Sequence, residues 1–158
     1  MKKLISLIAA LVMVLSLTGC FGMGTASNGS STADQASAAE VDTYDKDFKG
    51  LQKYITDRNS KAKTSELYYD IVGAKNGIRI ILNDNAYVEV YDYTDANSET
   101  AKAILADIKD DGKFNPMENS IDMTAVITDS GNYVLAWDAT RSYDYAKNVA
   151  TDELIANW

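Results

Sequence analysis

The sequence predicts an α+β domain in two layers: a four-stranded, mainly antiparallel sheet with helices on one face, in the order α-ββα-ββα. Three observations carry this reading. Two pairs of alternating apolar segments are each joined by a polar turn, at Asn83-Asp84-Asn85 and at Asp129-Ser130-Gly131-Asn132. Each pair is followed by apolar residues at helical spacing, and a further helical stripe precedes both.

Taken in order, Tyr44, Phe48, Leu51, Ile55 and Ala62 share one stripe, with Asp42 or Thr43 as N-cap, which predicts a helix over about 43–60. Residues 66–72 (ELYYDIV) and a turn-rich GAKNG segment lead into a strand at 78–82. The next strand alternates over 87–93. Ala101, Ile104, Leu105 and Ile108 mark a second helix, stopped by Asp110-Asp111-Gly112. A second hairpin spans 121–128 and 133–137, and a last helix runs from Ser142 towards Trp158. The halves also read as a ββα repeat. Asn83, Tyr87, Val88, Asp92 and Thr94 stand 45 to 46 residues before Thr128, Tyr133, Val134, Asp138 and Thr140, although turn and strand composition alone accounts for part of this.

Strand alternation sorts side chains by face. Ile78, Ile80, Leu82, Val88, Val90, Met123, Ala125, Ile127, Val134 and Ala136 form an apolar face suited to lie under helices. The other face groups Arg79, Tyr87, Glu89, Tyr91, Tyr133 and Trp137, with Tyr93 and Leu135. Tyr87, Tyr91, Tyr133 and Trp137 are candidates to stack on a sugar ring or receive a partner's side chains, with Arg79 and Glu89 as polar contacts. The competing reading is that the first helix packs over part of this face as ordinary core. Between the two, Trp137 is expected to be largely buried, and Tyr87 and Tyr91 to sit at the rim with their hydroxyls in water.

Upstream of the domain, Met1-Lys2-Lys3 precedes a 14-residue apolar stretch, residues 4–17, broken only by Ser6 and Ser16. That is short for a bilayer-spanning helix, which needs about 20 apolar residues, and suits a secretory signal. The run ends in Leu17-Thr18-Gly19-Cys20, which resembles the lipobox of bacterial lipoproteins. The resemblance implies that residues 1–19 are a signal peptide removed before Cys20, and that Cys20, the only cysteine, is acylated with diacylglycerol, a palmitate-class lipid. Two acyl chains make such attachment stable where one is marginal. Residues 21–40 hold 14 Gly, Ala, Ser or Thr in 20, so 20–40 reads as a lipidated cysteine on a flexible tether to a single domain at 41–158. The segments ELYYDIVGAKNGIRI and AKAILADIKDDGKF, with the hairpin between them, are similar to small lipoproteins of Gram-positive bacteria, over roughly residues 50–138. The resemblance implies a location on the extracytoplasmic face of the cell membrane, in the cell envelope, and assigns no activity.

Composition narrows the function. There is no histidine, which removes Ser–His and Cys–His nucleophile pairs and His-ligated zinc. A net charge of −8 argues against a nucleic-acid binder. The acidity is uneven: residues 46–63 hold six Lys or Arg and two Asp, whereas 64–158 hold seven basic and seventeen acidic residues. The basic helix can face an anionic envelope surface or simply be a solvated face. Residues 107–118 imitate an EF-hand loop, with Asp107, Asp111, Gly112 and Glu118 in register, but Lys109 occupies a ligand position. A helix C-terminus with Gly112 in the left-handed region explains that segment better. No spacing singles out a catalytic carboxylate pair, so no catalytic residue, metal or cofactor is expected. The leading reading is a membrane-anchored, non-enzymatic binding or interaction module for an envelope protein or small ligand. The alternative is a small carboxylate-based envelope enzyme acting on cell-wall polymer.

Overall fold

The computed structural model of the chain describes residues 43–83, 85–117, 121 and 123–158. Cys20, the apolar run before it and the tether lie outside the described residues, as does Glu118. Helix α1 (Phe48–Asp57) starts one turn later than expected, because Asp47 is the N-cap and its Oδ1 accepts from the Gly50 N–H at 2.7 Å. Strand β1 (Lys63–Glu66) and a 3-10 turn (Asp70–Val72) lead to the hairpin of β2 (Asn76–Asn83) and β3 (Ala86–Asp92). Helix α2 (Glu99–Asp111) is capped by Ser98 and closed by Gly112 at φ +70°, which fits the helix-end reading of residues 107–112. Strand β4 (Lys113–Phe114) then precedes the hairpin of β5 (Met123–Ile127) and β6 (Tyr133–Asp138). The expected last helix is two, α3 (Tyr143–Val149) and α4 (Asp152–Asn157). Ala150 leaves the helical region at ψ 61°, and Thr151 starts a new helix by accepting from the Leu154 N–H at 3.2 Å.

The expectation of a four-stranded sheet is overturned. Among the described residues there is one six-stranded antiparallel sheet in the order β1-β2-β3-β6-β5-β4, with four α-helices. The two extra strands are its edges. β1 (KTSE) is polar and exposed at all four positions, so it carries no apolar alternation, and β4 is two residues long.

The two-layer expectation fails as well, because helices cover both faces. On one side, Leu51, Tyr54 and Ile55 of α1, Ala146 and Val149 of α3, and Leu154 of α4 pack on Ile80, Val88, Val90, Tyr133, Leu135 and Trp137. On the other, Ala101 and Ile108 of α2 pack with Tyr91, Phe114, Met123, Ala125, Val134 and Ala136. β3 and β6 are central, and all six residues of β6 are buried. A strand buried on both faces needs a layer on each.

This corrects the assignment of faces. The β3–β6 register pairs Val90 with Leu135 and Tyr91 with Val134. Tyr133, Leu135 and Trp137 therefore share a face with Val88 and Val90, and lie opposite Tyr87, Glu89 and Tyr91. Alternation alone places the second hairpin one residue out of step with the first, which exchanges its side chains between the faces. The ββα repeat survives only locally. Asp92 Oδ1 accepts from the Thr94 N–H at 2.9 Å and Asp138 Oδ1 from the Thr140 N–H at 2.8 Å, the same turn after each second strand. The helices that follow sit on opposite faces, so the architecture does not repeat. Among the described residues, no helix is long and apolar enough to cross a membrane.

Candidate functional site

Four of the six aromatic-face candidates come together, and two do not. Arg79 on β2 stands directly across from Glu89 on β3. Glu89 Oε1 accepts from Arg79 Nε at 3.0 Å and from Nη2, while Glu89 Oε2 accepts from the Tyr91 hydroxyl at 2.7 Å. Tyr87, two residues before Glu89 on the same face, places its ring 4.5 Å from the Arg79 guanidinium carbon. Local sequence dictates this set: Y-x-E-x-Y on one strand aligns three side chains, and the hairpin register supplies the cation. Tyr133 and Trp137, 6% and 5% exposed, belong to the core beneath α1, α3 and α4.

Burial decides the character of the set. Glu89 has 4% of its side chain exposed and Arg79 has 40%, so the carboxylate is inside and its partner reaches solvent. Tyr91, expected at a wet rim, is instead 2% exposed, its ring tilted 49° against that of Phe114 at 4.9 Å. Burial, then the neighbouring Glu89 charge and hydrogen bond, push its hydroxyl far above the ordinary tyrosine range. Tyr87 is half-buried, and burial again raises its hydroxyl, with the Glu89 charge second. Both phenols are therefore neutral donors near pH 7.

Above this floor lies a shallow groove of about 300 Å³. One wall is Leu67, Tyr68 and Ile71, from the segment after β1; the other is Pro116, Met117 and Ile121, from the β4–β5 connection, with Met123 of β5. The large apolar side chains exposed among the described residues are Tyr68 (83%), Ile71 (48%), Met117 (59%) and Ile121 (57%), and all four line this groove. Two roomier depressions, near Lys61 and Asn83 and near Lys49 and Asp92, gather none of them.

Leu67, Tyr68, Ile71, Pro116 and Met117 escape the sequence reading because they occupy segments without periodicity, and Ile121 and Met123 are read there only as strand residues. The signal they do give is apolar residues stranded among turn formers, at 67–71 and 116–121. Among the described residues, Glu89 is the only carboxylate lining the groove, and both of its oxygens are engaged. No group of three or more metal-ligating side chains occurs among them either. Chemically, the described residues offer a guanidinium fixed by Glu89 beside apolar walls.

Comparison with protein families, with curated proteins and with solved structures finds no match for this chain. The fold and the groove define an antiparallel α+β domain with an apolar-walled recess on the same side of the sheet as α2.

Proposed function

We propose that this protein is a lipoprotein anchored through diacylglycerol on Cys20 to the extracytoplasmic face of a bacterial membrane, and that it works as a non-enzymatic binding module through the groove over Arg79 and Glu89. The observation that carries the binding reading is the gathering of four exposed large apolar side chains around one recess. Scattered exposed apolar residues are ordinary, whereas a contiguous patch marks an interaction site. The floor supports the same reading. A guanidinium held by Glu89 and stacked on Tyr87 is preorganised, so an occupant does not have to order it. At about 300 Å³ the recess is at the small end for ligand sites and suits one or two inserted side chains of an envelope partner.

Two measurements test the two halves. Cys20→Ala should abolish lipid labelling and leave the precursor at full length; normal processing and membrane retention would end the anchored reading. A photo-cross-linking amino acid at Tyr68 should give a discrete adduct in intact cells, and the same residue at exposed Lys147 on α3 should not. Equal labelling from both positions, or none from either, would contradict binding at the groove.

A further inference from the structure

We propose that the recess between the start of α1 and the adjoining end of the sheet is a binding site for a neutral sugar residue, one unit of an oligosaccharide chain. It lies on the α1 side of the sheet, away from the groove over Arg79 and Glu89, and does not rest on the reading of that groove. Strand register builds its floor. Asn76 on β2 stands directly across from Asp92 on β3, and Asp92 across from Tyr133 on β6. Opposed residues project to one face, so an amide, a carboxylate and a phenol form a row. Asp92 and Tyr133 are 5% and 6% exposed. The carboxylate is held in place, Oδ2 accepting from Asn76 Nδ2 at 3.2 Å and Oδ1 from the Thr94 N–H at 2.9 Å. Burial raises the Tyr133 hydroxyl above its ordinary range, so it stays a neutral donor near pH 7. Phe48, Lys49 and Gln52 of α1 and Lys75 before β2 complete the lining around about 480 Å³, within the range of about 300–1,000 Å³ for small-ligand sites.

The chemistry of this lining selects the class of ligand. Asp47 and Asp92 balance Lys49 and Lys75, so the described residues favour neither an anion nor a cation. A metal ion is disfavoured further, because both Asp92 oxygens already face N–H donors. An apolar insert would strip water from a carboxylate and two amides and give nothing in return. A neutral ligand whose groups both donate and accept is what fits, and that is the hydroxyl set of a sugar. Asp92 keeps lone pairs for a hydroxyl donor, and the Asn76 and Gln52 amides can meet hydroxyls in either role. Phe48, only partly buried, offers its ring to the apolar C–H face of the sugar. The row is fixed before the ligand arrives, so little ordering is left to oppose binding.

The test titrates the full chain carrying Cys20→Ala, in micelles of a detergent without a sugar headgroup, and follows its side-chain amide signals by NMR. The probes are two uncharged oligosaccharides, a tetramer of N-acetylglucosamine and maltotetraose, and two ions, calcium and inorganic phosphate. At least one oligosaccharide should shift the Gln52 and Asn76 amide signals saturably, and neither ion should. Gln52→Ala should weaken that binding a few-fold and leave the melting temperature unchanged. Asp92→Asn keeps the shape but loses the charged acceptor, and should weaken it about tenfold or more. Tyr68→Ser, in the groove, should leave it unchanged. Absence of a saturable shift with both oligosaccharides would overturn the inference, as would an equal or larger response to either ion. Loss of sugar binding in Tyr68→Ser, with full binding in Gln52→Ala and Asp92→Asn, would overturn it too by placing the sugar in the groove. None of these outcomes decides whether a partner protein cross-links at Tyr68, and lipid labelling of Cys20 reports on the anchor separately.

Discussion

At the scale of single residues, the site is governed by what surrounds Glu89. A carboxylate with 4% exposure is tolerated because Arg79 and the Tyr91 hydroxyl satisfy both of its oxygens. Such a pair is weak evidence for net stability, since desolvation offsets much of the attraction, but it fixes the position of the guanidinium. The tyrosines behind it make the protein sensitive to alkali. Burial raises the Tyr93 hydroxyl, which donates to the Val72 carbonyl at 3.1 Å, well above its ordinary range, as it does Tyr91. In the unfolded chain both ionise near pH 10, while in the folded chain they keep their protons to higher pH. Above about pH 10 the unfolded state therefore binds fewer protons and stability falls as pH rises; below about pH 9 these groups contribute no slope. Tyr93→Phe should reduce that alkaline slope by about 1.4 kcal/mol per pH unit. Urea melts of both proteins from pH 8 to 11.5 check this, and parallel slopes would show that Tyr93 is not buried.

At the scale of elements, the turns carry the order of the fold. Gly73 and Gly131 both adopt positive φ, +70° and +76°, where any side chain is strained. A methyl group on Gly131 meets open space, whereas one on Gly73 would come within 2.5 Å of the Ser98 hydroxyl that caps α2. Gly131→Ala should cost about 1–2 kcal/mol from backbone strain alone. Gly73→Ala should cost clearly more and fray α2, measured by denaturant melts with circular dichroism; equal losses would contradict the packing of the 3-10 turn on the helix cap. Elements of this kind were legible in the sequence where chemistry marks them. Ser98 and Gly112 bracket α2, and polar turns bracket both hairpins. β1 and β4 were not legible, because four exposed polar residues and a two-residue pair carry no pattern. Nor was the facing of the hairpins. Alternation tells which residues of a strand share a face, but only the β3–β6 register ties one hairpin's faces to the other's, and a fully buried β6 reads alike on both. The floor of the site lay within a single hairpin, so Arg79, Tyr87, Glu89 and Tyr91 could be grouped from sequence. Its walls come from two distant loops, and nothing local joins Tyr68 to Ile121.

At the scale of the whole molecule, the sheet has a helical layer on each side, yet the α2 side leaves a strip over β2 and β3 uncovered. On the α1 side the core runs from Leu51 to Trp137 under three helices. On the α2 side the core ends at Tyr91, Phe114 and Met123, and beyond it Tyr68, Ile71, Met117 and Ile121 of the groove stand in solvent. The central claim is that these two groups of large side chains do different work: Trp137 holds the fold together, while Met117 and Ile121 contribute little to it and are available to a partner. Equilibrium denaturation of Trp137→Ala beside the double variant Met117→Ser with Ile121→Ser tests this most directly. Trp137→Ala should lose about 3–5 kcal/mol, as expected for truncating a buried large aromatic. The double variant should stay within about 0.5 kcal/mol of the parent, as surface substitutions do. A loss of several kcal/mol in the double variant, or a near-zero loss for Trp137→Ala, would contradict the account.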